Sequence, residues 1–437
     1  MIYKATRSCV SAVKKGLHCK QFVAKHSPRL PQVGMRAMNG HRDVIEDLKP
    51  CNTFLQNRGT NVFSIMTSLS VEHSSVNLGQ GFPDEEGPDE MKRRAGSALL
   101  EHNNQYPPMP GLPELRQAVA RHSAAQSGIE ADWQTETLIT VGATEALTSA
   151  FMGLLNEGDE VIIFDPQYDA YIPLCRAHGG IPVEVKLNTE DWTVPHAELE
   201  AAFSERTKAI VVNSPHNPTG KVFSVEDLSF IADLCQKWNV YAILDEVYEH
   251  LVFKGSRHVS MRSLPGMRER CIRIGSAGKT FSLTAWKVGW MTGPPALMKA
   301  VTSAHQFITF TVASSLQRAV AYGLDEESSF YLGLGASLQR KRQFLEQQLT
   351  EVGFRVLPAQ GTYFLVADIR PLLKSDAAED DVAFCKRLTM EAGVTALPVS
   401  AFYASSDPPR HLARFCFCKD DSKLEAASAS LRRYFLR

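Results

Sequence analysis

The chain has 437 residues, room for two or three domains of ordinary size, with 44% apolar and 22% charged residues and a formal net charge of −1. Near-zero charge gives no pull toward nucleic acid or an anionic membrane surface, and no apolar run approaches the roughly 18 residues a membrane span needs. Nine cysteines are scattered (Cys9, Cys19, Cys51, Cys175, Cys235, Cys271, Cys385, Cys416, Cys418) without a Cys-x-x-Cys pair, so no metal site is expected and a reducing setting fits.

In chain order, residues 1–42 stand apart. They hold nine Lys or Arg, three His and no acidic residue before Asp43, with hydroxyls at Ser8, Ser11 and Ser27. Such a start reads as an organellar transit segment, mitochondrial or plastid; a basic tail with no address, on a cytoplasmic protein, is the alternative. Residues 1–48 are therefore set aside as a leader. From 49 to 88 the chain is loop-rich around one amphipathic piece near 62–71, and the glycines and proline of Asn77-Leu78-Gly79-Gln80-Gly81-Phe82-Pro83-Asp84 punctuate rather than extend it. Helices are predicted over 89–101 and 112–126, separated by the stiff loop Asn104-Gln105-Tyr106-Pro107-Pro108.

Alternating units follow. Short apolar strands are predicted at 137–141, 161–164, 209–212, 240–244 and 271–274. Helices are predicted from Thr144 to about 155, and from a Ser224 cap to 238 with Asp227 in the capping-box place. This pattern predicts an α/β fold: a mostly parallel sheet covered by helices on both faces, over 89–326. After about 324 a long helix is expected at 328–352, then strands at 362–366 and 414–418. Residues 327–437 thus read as a smaller α+β domain, completed by the segment before 88.

Ligands of parallel sheets sit at the carboxyl ends of the strands. Gly142, Tyr168, Asn217, Asp245 and Ser276 to Lys279 all fall there. Gly142-Ala143-Thr144 opens a helix and can cradle phosphate, or is a plain turn. Asp245, between apolar residues, needs a partner such as a protonated ring nitrogen if it is to stay charged, or it caps a helix. Tyr248 lies nearby if the chain turns helically. Asn217 sits in a loop stiffened by Pro215 and Pro218, aimed at a ligand or merely turning. Tyr168 offers a flat face to a ring or packs in the core. Lys279, amid small and hydroxyl residues, is a candidate for carbonyl chemistry through its amine, or is an ordinary surface lysine, since a lone Gly-Lys-Thr is common. Arg414, entering a buried strand, suits a carboxylate or a structural ion pair, and strand alternation puts it on one face with Cys416 and Cys418.

Together these residues resemble the class I aminotransferases that use pyridoxal 5′-phosphate, from about Asn61 to the C-terminus. Asn217-Pro-Thr-Gly, Asp245-Glu-Val-Tyr248 and Ser276-Ala-Gly-Lys279 carry the likeness. Asn77 to Asp84, Asn104-Gln-Tyr106, Trp286-Lys287-Val-Gly-Trp290 and Arg414-Phe-Cys-Phe are similar to the kynurenine/glutamine/methionine subgroup. The resemblance implies that Lys279 holds the cofactor covalently and, once freed, moves the proton at the substrate Cα. It implies that Asp245 pairs with the ring nitrogen, that Tyr248 and Asn217 bond the ring oxygen, and that Tyr168 stacks on the ring. The phosphate would be held by Gly142, Ala143, Thr144, Ser276 and Lys287, and by Tyr106 of a neighbouring subunit in a homodimer with shared sites. Many family members have arginine in place of Lys287; lysine keeps the charge and loses the bidentate fork. Arg414, with Asn217 and Gly81, would clamp the substrate carboxylate.

Aspartate-specific relatives present a second arginine after the cofactor lysine; residues 301–314 hold none, and Phe63, Phe307 and Phe310 are available instead. Neutral aromatic or sulfur-containing amino acids are therefore the expected donors, with a 2-oxo acid acceptor. β-Elimination of cysteine conjugates is the alternative chemistry, and a cofactor-binding regulator without turnover the alternative class. A P-loop centred on Gly278-Lys279-Thr280 is excluded by Arg273, which stands where its first glycine belongs.

Overall fold

The protein is described by a computed structural model covering residues 62–374 and 379–436. The expected leader at 1–48, and the arm up to residue 61, lie outside the described residues. Strands β2 (Thr137–Thr140), β3 (Glu160–Asp165), β4 (Ile181–Lys186), β5 (Thr207–Asn213), β6 (Tyr241–Asp245), β7 (Cys271–Ser276) and β8 (Gly289–Thr292) form one seven-stranded sheet. Its order is β2-β8-β7-β6-β5-β3-β4. Only β8 runs against its neighbours, so the other six all end at one edge of the sheet.

Alternation within the strands shows why this sheet is covered twice. Val161 and Ile163 of β3 join one apolar cluster, while Ile162 and Phe164 join the other. Ala209 and Val211 of β5 divide from Ile210 and Val212 in the same way. Side chains that alternate between faces and are apolar at every position need helices on both sides. Two strands escape the sequence pattern. β4 is an edge strand carrying Pro182 and Glu184 with its outer residues exposed, where proline is tolerated and polarity costs little. β8 is four residues long and begins with glycine.

The C-terminal third builds the smaller layer. A long helix, Ser328–Glu351, leads into an antiparallel sheet ordered β12-β13-β10-β9. Its strands are β9 (Arg355–Val356), β10 (Phe364–Asp368), β12 (Leu397–Pro398) and β13 (Leu412–Cys416). β10 and β13 each lie about two residues from the expected 362–366 and 414–418. The segment before residue 88 does join this layer: β1 (Val76–Asn77) pairs in parallel with β11 (Val394–Thr395), Val76 opposite Val394. Among the described residues no helix is long and apolar enough to cross a membrane.

Beneath the main sheet, the fully buried Arg273 of β7 bonds Glu246, Glu249 and Ser123. Removing one partner of such a buried network strands the other charges. Arg273→Met is expected to destabilise the fold by about 3–5 kcal/mol, read from the shift of the urea unfolding midpoint; an unchanged midpoint would show the network to be neutral.

Candidate active site

A cavity of about 460 Å³ opens at the carboxyl edge of the main sheet, against the smaller layer. It gathers Gly142, Ala143, Thr144, Tyr168, Asn217, Asp245, Tyr248, Ser276, Lys279, Lys287, Gly81, Phe63 and Arg414 from segments spread over 350 residues of sequence.

One end is a turn of backbone amides. β2 gives way to the helix Gly142–Leu154, and Gly142 takes φ +72°. The Val141 N–H donates to the Glu145 carboxylate at 3.0 Å, no N-cap side chain bonds the first helical turn, and Gly142, Ala143 and Thr144 at that turn line the cavity. A Cβ on Gly142 would lie 3.3 Å from Lys287 Cε and Nζ, which places the lysine ammonium against this turn. Ser276, ending β7, also lines the cavity. Helix amides, a cation and a hydroxyl are a donor set for a phosphate dianion. The Thr144 hydroxyl lies 3.5 Å from the Tyr168 Oη.

Asp245 ends β6 at the centre. The Tyr171 hydroxyl donates to Oδ2 at 2.6 Å, and the Val247 N–H reaches Oδ1 at 3.4 Å. Both partners are neutral, and burial raises the carboxyl above its ordinary range. A cationic N–H facing it would reverse that cost. Asn213 organises the neighbouring loop: its amide donates to the Asp245 carbonyl at 2.8 Å and its oxygen accepts the Asn217 N–H at 2.7 Å. Both X-Pro bonds of that loop are cis, as is Asp165-Pro166.

Lys279 donates to the Tyr363 hydroxyl at 2.9 Å, and Tyr363 donates to the Gly81 carbonyl at 2.8 Å. Burial lowers the lysine below its ordinary value, and Lys287 adds to the lowering. Its Nζ stands 5.6 Å from the ring centres of both Tyr248 and Tyr363. Gly278 is constrained by protein: a Cβ there would meet Thr284 Cα at 3.1 Å and Ser276 Oγ at 3.4 Å.

At the other end, Arg414 of β13 donates to Asn217 Oδ1 at 3.0 Å and to the Gly79 carbonyl at 2.9 Å. Its Nε is buried without a partner. The guanidinium lies 4.0 Å from the Phe364 ring centre, 4.6 Å from Phe402 and 5.9 Å from Phe63. Burial brings it down to about 10, so it remains charged at neutral pH. A flat, buried cation with an unused donor, walled by aromatic rings, is shaped for a carboxylate on an apolar body.

Two expected residues stand elsewhere in this chain. Phe310 is not in the cavity: it pairs edge-to-face with Tyr106 at 5.4 Å, and both are exposed, Tyr106 at 80%. Phe307 is exposed as well. The apolar wall comes instead from Phe364 and Phe402 beside Phe63. Tyr171 and Tyr363 were missed. Tyr171 carried a signal, standing one helical turn after Tyr168; nothing local distinguishes Tyr363 from a core aromatic.

The amide turn with Lys287, the cation-seeking Asp245 and the desolvated Lys279 match the phosphate, ring nitrogen and aldehyde of pyridoxal phosphate. The sequence pattern of the family "Aminotransferase class I and II" matches residues 74–431. The probable N-succinyldiaminopimelate aminotransferase DapC of Mycobacterium tuberculosis is 43% identical over 378 residues, covering 84% of this chain and 94% of that protein. The solved structure of N-succinyldiaminopimelate aminotransferase from Mycobacterium tuberculosis superposes with a TM-score of 0.84 over 88% of this chain and 100% of its own, at 42% identity. The methionine aminotransferase of Escherichia coli is 39% identical over 376 residues (86% and 96% covered). Human kynurenine–oxoglutarate transaminase 1 is 40% identical over 398 residues (84% and 94%). With the motifs, the sheet and the cavity all in agreement, the chain belongs to the class I and II aminotransferases, transaminases of fold type I that depend on pyridoxal phosphate.

Proposed function

We propose that this aminotransferase takes neutral amino donors, those with aromatic or sulfur-containing side chains such as kynurenine, phenylalanine or methionine, and the neutral amide glutamine, and passes the amino group to a 2-oxo acid. The observation that carries this reading is the wall around Arg414: Phe63, Phe364 and Phe402 surround the one arginine that lines the cavity among the described residues. A dicarboxylic donor would leave its distal carboxylate among aromatic rings and the Asp169 side chain, at the cost of an unpaired buried charge.

The residues divide the work as follows. Gly142, Ala143, Thr144, Ser276 and Lys287 would hold the phosphate. Tyr168 would lie against the ring, and Asp245, oriented by Tyr171, would keep the ring nitrogen protonated. When bound, pyridoxal phosphate supplies the electron sink that makes the substrate Cα–H acidic. Tyr248 and Asn217 would bond the ring oxygen. Arg414 fixes the substrate carboxylate with help from Asn217 and Gly81, and so sets which Cα bond faces the reacting centre. Lys279 takes the proton from Cα and returns it during transfer; its lowered basicity makes the neutral amine more available for this task than on a surface lysine.

Transamination rates of the purified holoenzyme with kynurenine, methionine, phenylalanine, glutamine, N-succinyl-diaminopimelate and aspartate test the substrate reading. Higher kcat/KM for the neutral aromatic and sulfur-containing donors is expected. Preference for aspartate or the succinylated diacid sinks the reading without touching the family assignment. Pyruvate release from a cysteine conjugate, with no acceptor added, would instead reveal β-elimination.

The reading includes a homodimer. Tyr106 and Phe310 form an exposed aromatic pair away from their own cavity, which suits residues that complete a second copy's site. Sedimentation is expected to give a dimer, and Tyr106→Ala to weaken cofactor retention. A monomer with full activity would rule this part out. The division into a large domain at 89–326 and a small one at 327–437, completed by 49–88, is proposed on the same footing.

A further inference from the structure

We propose that Cys416 and Cys418 form a dithiol that a small hydroperoxide oxidises to an intramolecular disulfide, and that this bond loosens substrate binding through the strand that carries Arg414.

Three observations carry it. The two sulfurs lie 3.2 Å apart, both buried, at the end of β13. Residues two apart on extended chain have Cα atoms roughly 6.6 Å apart, at the upper end of the span a disulfide bridges, so bond formation needs the sulfurs to approach by about 1 Å and the backbone at Phe417 to draw in with them. Second, a separate cavity of about 30 Å³ lies behind the site and is lined by Cys418 together with Lys279, Tyr363, Ser282, Lys341 and Glu85. Glu85 on its wall is exposed, and the size of the cavity suits a molecule little larger than water. Third, cations surround the pair. Arg414 precedes Cys416 by two residues, and Lys419, which donates to the Phe82 carbonyl at 2.8 Å, follows Cys418.

Burial pushes both thiols up, yet the Cys418 contact and the charges of Lys419 and Arg414 bring Cys416 below its ordinary value, while Cys418 stays raised. The two sulfurs titrate as a pair, so ionising one leaves the other with its proton. In the reaction, the thiolate sulfur attacks one peroxide oxygen and the O–O bond breaks, giving a sulfenic acid and hydroxide. The second sulfur then displaces the hydroxyl, which leaves as water with that thiol's proton. Two thiols lose two electrons, and the peroxide is reduced to two waters, the first after the hydroxide takes a proton.

The backbone around the pair couples this bond to the site. The Cys416 N–H donates to the Leu78 carbonyl at 2.6 Å, one residue before the Gly79 carbonyl that holds Arg414. The Phe417 N–H donates to the Tyr363 carbonyl at 3.0 Å, and Tyr363 is the residue that holds Lys279. Drawing the two sulfurs together at Phe417 displaces both supports.

The test treats the intact holoenzyme with hydrogen peroxide, then alkylates free thiols and maps peptides by mass. A Cys416–Cys418 disulfide is expected, with KM for the amino donor raised about tenfold, the loss of one charge-assisted contact at Arg414, and recovery in dithiothreitol. Cys416→Ala and Cys418→Ala are expected to start from ordinary activity and not respond. The link to KM rests on the proposed clamp role of Arg414, but the peptide map reads the bond whatever that role proves to be. Absence of the disulfide from the wild-type map overturns the proposal even if neither variant folds. A disulfide that leaves KM unchanged, or a peroxide loss that persists in both variants, overturns the switch.

Discussion

Lys279→Ala is expected to lose turnover by at least about 10⁴-fold, the upper end of what a positioned general base contributes. The side chain has two proposed tasks, attachment of the cofactor aldehyde and movement of the Cα proton, so its removal takes away both. The variant should still fold, because the Lys279 amine makes one side-chain hydrogen bond, to Tyr363, and Tyr363 keeps its own bond to the Gly81 carbonyl. It should also retain the phosphate cradle, so added cofactor binds without becoming fixed. Borohydride reduction followed by mass analysis separates this from mere loss of activity: the wild type gains the cofactor mass and the variant does not. The same chemistry gives a pH signature. Burial lowers Lys279 from the ordinary 10.5, so the neutral amine is available at lower pH than for a surface lysine. kcat should therefore rise with pH through a limb lying below 10.5 and level off above it. A limb at the ordinary lysine value, or substantial turnover in the variant, would refute the role.

Asp245→Asn is expected to keep the cofactor and cut kcat by about 10²–10³-fold, the scale of removing one preorganised electrostatic partner. Asparagine preserves the size of the side chain and can still accept from Tyr171, but it removes the negative charge that favours a protonated ring nitrogen. Burial already raises the Asp245 carboxyl without the cofactor, and a facing N–H⁺ would hold it ionised. The wild type should therefore keep its bound-cofactor spectrum at acidic pH, and the variant should shift to that of the unprotonated ring at neutral pH. An unchanged spectrum with unchanged kcat would show that Asp245 only shapes the pocket.

The sequence carried a good deal of this. Asp245, Ser276 and Lys279, Asn217 and Gly142 were placed at strand ends by local features: apolar runs of strand length, the glycine after β2, and two prolines around His216. Such signals depend on a few neighbouring residues, and they survive folding because a strand buried on both faces has little freedom to shift. Where burial relaxed, so did legibility. The edge strand β4 mixes polar and apolar residues, and β10 and β13 lie about two residues off the expected registers.

The tertiary structure decided the partnerships. Tyr171 meets Asp245 across 74 residues and Tyr363 meets Lys279 across 84. Phe402 and Phe364, rather than Phe310 of the same chain, stand beside Arg414. No periodicity encodes which aromatic of a core strand turns its edge to a buried cation, because that depends on how the two sheets pack. The motifs by themselves determined that this chain handles an amino group on pyridoxal phosphate. Which rings stand around Arg414, and that two cysteines on one strand face lie 3.2 Å apart with Cys418 and Lys279 lining one small cavity, emerged from the fold, since contacts between residues far apart in sequence are set by packing rather than by local propensity.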